Sequence, residues 1–149
     1  MTRNTVLLVE DNPSDVFIIQ RTFRKLKVDI ALEVAADGDE AIAYLDGTGK
    51  YADRERFPMP ALILLDLKLP RRSGFEVLEW IRKQPVLCRV PVVVLTSSRH
   101  PDDVNLAYDR GANSYVVKTV NPSETEELGT IIHRYWLGIN QRPETVPNG

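Results

Sequence analysis

Short runs that are apolar at every position alternate along this chain with stretches of helical period, and that rhythm constrains the fold more than any other feature. Residues 6–9, 62–65 and 92–95 read VLLV, LILL and VVVL, with no polar position to turn towards water. Strands so composed must be covered on both faces, as the central strands of a parallel sheet are. Shorter runs at 31–35 and 115–117 fit flanking strands, and helical patterns fill the intervals near 13–25, 38–45, 73–83 and 101–110, with a last one near 122–137. Asn12-Pro13 and Asn121-Pro122 each place a capping side chain before a first-turn proline. The pattern predicts an α/β domain: a doubly wound, five-stranded parallel sheet with helices on both faces.

The chemistry lies in the residues that end these runs. The first strand stops at Glu10-Asp11, the third at Asp66, the fourth at Thr96 and the fifth at Lys118. In an open parallel sheet the carboxyl ends emerge at one edge, where such folds place their ligands, and two of these strands are neighbours at the switch point. Carboxylates forced together repel one another, and a divalent cation offsets that repulsion. Oxygen-only ligands favour magnesium, with Glu10, Asp11 and Asp66 as the set. Asp66, between a rigid strand and the Leu69-Pro70 turn, is the candidate nucleophile towards phosphorus. Thr96 can donate a hydroxyl hydrogen to a phosphoryl oxygen, and Lys118 can neutralise another.

Composition sets the surroundings. At 149 residues the chain supports one domain, read as 1–139 with a mobile carboxyl-terminal tail at 140–149. A net charge of -2 gives no reason to expect a nucleic-acid partner. One cysteine, Cys88, excludes an internal disulfide, and neither a signal-peptide core nor a membrane span is visible, so the expectation is a soluble cytoplasmic protein. The stretch 46–60 reads as an extended surface insertion, and the cluster Asp53-Arg54-Glu55-Arg56 within it as a solvated loop. His100 and His133 are too far apart in sequence to suggest a metal pair.

Glu10-Asp11, Asp66, Thr96 and Lys118, with Leu65-Asp66-Leu67-Lys68-Leu69-Pro70, Asp37-Gly38 and Gly111-Ala112, closely resemble the receiver domains of two-component response regulators. The long insertion, Val92-Val93-Val94-Leu95-Thr96-Ser97-Ser98 and the closing Tyr135-Trp136-Leu137 resemble the single-domain regulators that partner cyanobacterial phytochromes. The resemblance implies a flavodoxin-like strand order 2-1-3-4-5. It implies that Asp66 accepts a phosphoryl group from a sensor histidine kinase, here of phytochrome type, and that magnesium is held by Glu10, Asp11, Asp66 and the Lys68 backbone carbonyl. Thr96 and Lys118 would bind the phosphoryl oxygens, and Tyr115 would be an aromatic switch that turns inward as Thr96 moves. One position departs from the family: Thr119 comes after Lys118 where proline is usual.

Other functions lack their residues. A phosphatase of the haloacid-dehalogenase type needs a second acid two positions after the nucleophile, where this chain has Lys68. Flavin or dinucleotide binding needs a Gly- or hydroxyl-rich loop after the first strand, where Glu10-Asp11-Asn12-Pro13 stands. The alternative is a receiver-like protein-binding module that works without phosphorylation. Apolar groups on the last two helices also predict a homodimer through Val104, Leu106, Tyr108, Tyr115 and Trp136, with Leu128, Ile131, Ile132 and Tyr135 as the core stripe of the final helix and Trp136 towards its edge.

Overall fold

Among the described residues of the computed structural model, which are 4–26 and 29–144, five strands alternate with five α-helices. The strands are β1 (Asn4–Val9), β2 (Ile30–Ala35), β3 (Leu62–Leu65), β4 (Val92–Thr96) and β5 (Ser114–Val117). The helices are α1 (Pro13–Lys25), α2 (Gly38–Asp46), α3 (Gly74–Arg82), α4 (Pro101–Asp109) and α5 (Pro122–Arg134). All strand pairs are parallel and the order is β2-β1-β3-β4-β5, as the sequence predicts. Asn12 and Asn121 cap α1 and α5 through their side-chain oxygens, each ahead of its proline.

Period two inside the apolar runs sorts the core into two layers. Leu7, Val9, Ile63, Leu65, Val92 and Val94 point to one face, where α2, α3 and α4 supply Tyr44, Leu78, Ile81 and Ala107. Val6, Leu8, Leu62, Leu64, Val93 and Leu95 point to the other, under Ile19 and Phe23 of α1 and Ile132 of α5. Both layers are dry, which is why these runs carry no polar residue.

Three expectations are corrected. The stretch 46–60 lies at the surface as expected but is not extended: it contains a 3-10 turn (Gly49–Ala52), and Tyr51 packs into the core against Tyr44 and Phe57. Arg54 is no solvated loop residue either. Its guanidinium donates to the carbonyls of Tyr44 and Leu45 at the end of α2, at 2.7 and 2.8 Å, and so satisfies acceptors that the helix leaves open. On the final helix the stripe is rotated from the one expected: Ile132 is buried and Trp136 packs on the core, whereas Ile131 and Tyr135 are exposed. Gly129 sets that rotation, since it faces Thr22 of α1 so closely that a Cβ would lie 2.3 Å from the Thr22 methyl carbon. The helix also ends earlier than its pattern suggests, giving way to a π-turn (Tyr135–Ile139).

Of the segment read as a tail, residues 145–149 lie outside the described residues, as do 1–3. Within the described part, Arg142 donates to the Asn4 side chain at 2.8 Å. No helix among the described residues is long and apolar enough to cross a membrane.

Candidate functional site

The sheet ladder runs one residue past three of its strands and fixes the site's backbone. Glu10 N donates to Ala35 O at 3.0 Å, Asp66 N to Val9 O at 3.0 Å and Lys118 N to Thr96 O at 2.7 Å. Parity then decides which way each side chain leaves. Glu10, Asp66 and Lys118 continue the alternation of the layer beneath α1 and α5, while Thr96 and Tyr115 continue that of the opposite layer. Oxygen atoms of Glu10, Asp11 and Asp66 all lie within 4.8 Å of one another, with Glu10 and Asp66 buried and Asp11 exposed.

Each oxygen of Asp66 has a different employment. Oδ1 accepts from the amides of Leu67 at 2.7 Å and Lys68 at 3.4 Å, while Oδ2 faces the Lys118 ammonium at 3.1 Å. The backbone thus holds the carboxylate in one orientation. Gly74 makes that loop possible: a Cβ there would lie 2.1 Å from the Asp66 carbonyl oxygen. Lys68 itself is exposed, two residues beyond Asp66, and its amide is part of the clamp.

Lys118 reaches the site although Thr119 replaces the family's proline, and no peptide bond among the described residues is cis. Its Nζ donates to Glu10, to Asp66 and to a third acid, Asp15, at 2.9 Å. The strand-end pattern does not single out Asp15. A signal for it is nonetheless present, since an acid in the first turn of a helix that comes after Glu10-Asp11 faces the same edge. Burial drives the Glu10 pKa up to about 7, with the Lys118 hydrogen bond and the Asn12 amide pulling it back and the Asp66 charge adding to the rise. Burial would lower the Lys118 pKa, yet the hydrogen bonds to Glu10 and Asp15 and the charge of Asp66 reverse this and leave it raised. The ammonium is therefore fixed as a cation.

Thr96 is fully buried, and its hydroxyl has no hydrogen-bond partner among the described residues. Buried hydroxyls are normally paired, and among the described residues Thr5 is the other one left without a protein partner. Tyr115, half-buried on the same layer, donates its hydroxyl to the Ser98 carbonyl at 2.9 Å and so ties β5 to the loop after Thr96. His100 caps α4 by accepting from Asp102 N at 3.1 Å, which is a structural employment.

Three carboxylates, a half-buried ammonium and an unpartnered hydroxyl at the carboxyl edge of a 2-1-3-4-5 sheet form the receiver constellation, and residues 6–128 match the response regulator receiver domain pattern. The chain belongs to that family. Response regulator Rcp1 of Synechocystis is 40% identical to this receiver over 132 residues, spanning 89% of this chain and 88% of Rcp1. The phosphorylated cyanobacterial phytochrome response regulator RcpA superposes with a TM-score of 0.90 at 38% identity, over 96% of this chain and 100% of RcpA. The Mn(2+)-bound form of Rcp1 superposes with a TM-score of 0.85 at 38% identity, over 95% and 99% of the two chains. Receivers of this family bind a divalent metal, and the acidic trio supplies the hard oxygen donors such an ion requires.

Proposed function

We propose that this receiver takes a phosphoryl group onto Asp66 from a sensor histidine kinase of phytochrome type, and signals through the resulting conformational change. The observation that carries the reading is the clamped carboxylate: Oδ1 held by two backbone amides, Oδ2 turned to a half-buried ammonium. Oδ2 is the nucleophile, and the similarity to Rcp1 and RcpA supports the kinase class. Magnesium is the cation, held by Glu10, Asp11, Asp66 and the Lys68 carbonyl; when bound, it neutralises charge on the phosphoryl oxygens. Lys118 adds a fixed positive charge, and the orphan Thr96 hydroxyl donates to a phosphoryl oxygen.

Signalling uses the layer that Thr96 shares with Tyr115. Drawing Thr96 towards a phosphoryl group shifts the end of β4 and the loop whose Ser98 carbonyl holds the Tyr115 hydroxyl. The phosphoryl group thus favours one ring position by its differential contacts. Output passes through a homodimer formed by α4, β5 and α5. Val104, Leu106 and Tyr115 are half-buried there and Tyr108 is exposed, with Ile131 on α5 and Tyr135 just beyond its end exposed in the place expected of Trp136. The setting is cytoplasmic, and neither nucleic acid nor a membrane is a partner.

Acetyl phosphate with magnesium tests the core of this reading by intact-mass spectrometry. The wild type gains one acid-stable, base-labile phosphate and Asp66→Asn gains none; unchanged labelling of Asp66→Asn overturns the assignment. A receiver-like module without phosphorylation predicts no labelling of either.

A further inference from the structure

Lys118 has three N–H donors, and all three are directed at carboxylates: Glu10, Asp15 and Asp66. Two of those acceptors, Glu10 and Asp66, also belong to the acidic trio whose oxygens cluster within 4.8 Å. A divalent cation seated among them takes lone pairs that the ammonium now holds and repels the ammonium as well. Asp15 stands outside the trio. It is the partner that Lys118 does not have to share.

Exposure separates the three in the same way. The Asp15 side chain is 33% exposed, against 1% for Glu10 and 8% for Asp66, so it stands at the mouth of the site. A cavity adjoins the pair, lined by Asp15, Ile18, Phe23, Lys118, Thr119 and Leu128 among others. The cavity is lined mainly by apolar side chains, so Asp15 is the carboxylate on that side available to the ammonium.

We propose that Asp15 is a positioning residue for Lys118: when a divalent cation occupies Glu10 and Asp66, the Asp15 carboxylate retains the ammonium beside Asp66. The proposal rests on the phosphoacceptor reading, because only a phosphoryl group gives the retained ammonium something to act on. Without Asp15, the ammonium has only Glu10 and Asp66 to hold and competes with the cation for both. The cation and the lysine then exclude each other, where Asp15 lets them share the site.

A magnesium titration of the full chain, read by calorimetry in two backgrounds, tests this. Asp15→Asn should weaken magnesium binding about three- to tenfold where Lys118 is present, and by a smaller factor in Lys118→Met, as expected for residues that act through one contact. Asp15→Glu should restore affinity, because the longer acid still offers the ammonium a partner. An effect as large or larger in Lys118→Met would mean that the Asp15 charge acts on the cation directly, and overturns the proposal. So does unchanged affinity of Asp15→Asn, or failure of Asp15→Glu to rescue. Failure of the phosphoacceptor reading would show separately, as phosphate on Asp66→Asn, which this titration does not measure.

Discussion

The two edges of this sheet each hold a half-buried cation, and they satisfy it in opposite ways. At the amino ends of β4 and β5, Arg82 donates to the carbonyls of Gly111, Cys88 and Val90 and to the Asn113 side chain, at 2.7 to 2.9 Å. Every one of those acceptors is neutral. At the carboxyl ends Lys118 donates to three carboxylates and nothing else. A guanidinium among carbonyls is held by a planar fork, four of its five N–H groups engaged, and its acceptors do not titrate. An ammonium among acids is a point charge whose partners can be protonated, metallated or phosphorylated. The first arrangement closes a structure; the second keeps one open to chemistry.

Removing each cation should therefore damage different properties. Arg82→Met strands several carbonyls and should cost roughly 3 kcal/mol of unfolding free energy at ~1 kcal/mol per orphaned acceptor, read by urea denaturation, while magnesium affinity of the folded protein stays the same. Arg82→Lys should recover only part of the loss, because a lysine cannot reproduce the fork. Lys118→Met should cost less, about 2 kcal/mol in the presence of a chelator, through repulsion among acids left without their cation. Added magnesium should return most of it, which it cannot do for Arg82→Met. Equal responses of the two variants to magnesium would collapse the distinction between the edges.

Acidity sharpens the contrast further. Glu10 titrates at about 7 in the folded chain, against 4.5 as its ordinary value, with burial the leading cause. Between those values the folded form holds the proton and the unfolded form has released it, so metal-free stability should fall as the pH rises from about 4.5 to about 7, then level off. Magnesium requires the carboxylate, so its affinity should drop on acidification below about 7. Calorimetric titrations across that window check both slopes, and Glu10→Gln should flatten the first.

The smallest effect belongs to Thr96. Its hydroxyl is buried without a partner, so Thr96→Val should change resting stability by less than about 1 kcal/mol in thermal unfolding. The same substitution should loosen the binding of beryllofluoride, a phosphoryl mimic, about tenfold, the worth of one charge-assisted hydrogen bond. A large loss of resting stability would mean that the hydroxyl serves the fold.

Most of the architecture was legible because the three central strands carry unbroken apolar runs, and the residues that end those runs could be read as a set. Asp66, Glu10, Thr96 and Lys118 sit where strand ends must place them. Asp15 ends no strand, so only its place in the first turn after Glu10-Asp11 signals it, and the parity of Lys118 brings the two together beneath α1. The 46–60 stretch misleads for a related reason. Its charge and turn residues outweigh Tyr51 and Phe57 in any local window, yet those two rings and the Arg54 fork hold it down. Final-helix rotation depends on Gly129 meeting Thr22, a contact between residues far apart in sequence.

Gly74 is half of a vice. A Cβ at Gly38 would lie 2.3 Å from the Arg72 carbonyl oxygen, and one at Gly74 would lie 2.1 Å from that of Asp66. The loop that carries Asp66 is thus wedged between the first turns of α2 and α3, mostly backbone against backbone, with the Arg72 Cβ as the one side-chain atom among the nearest contacts. A displacement of Asp66 towards that flank meets main-chain atoms. On the opposite flank the Thr96 hydroxyl has no partner among the described residues and Tyr115 is held there by one hydroxyl hydrogen bond, so movement meets less resistance on that side.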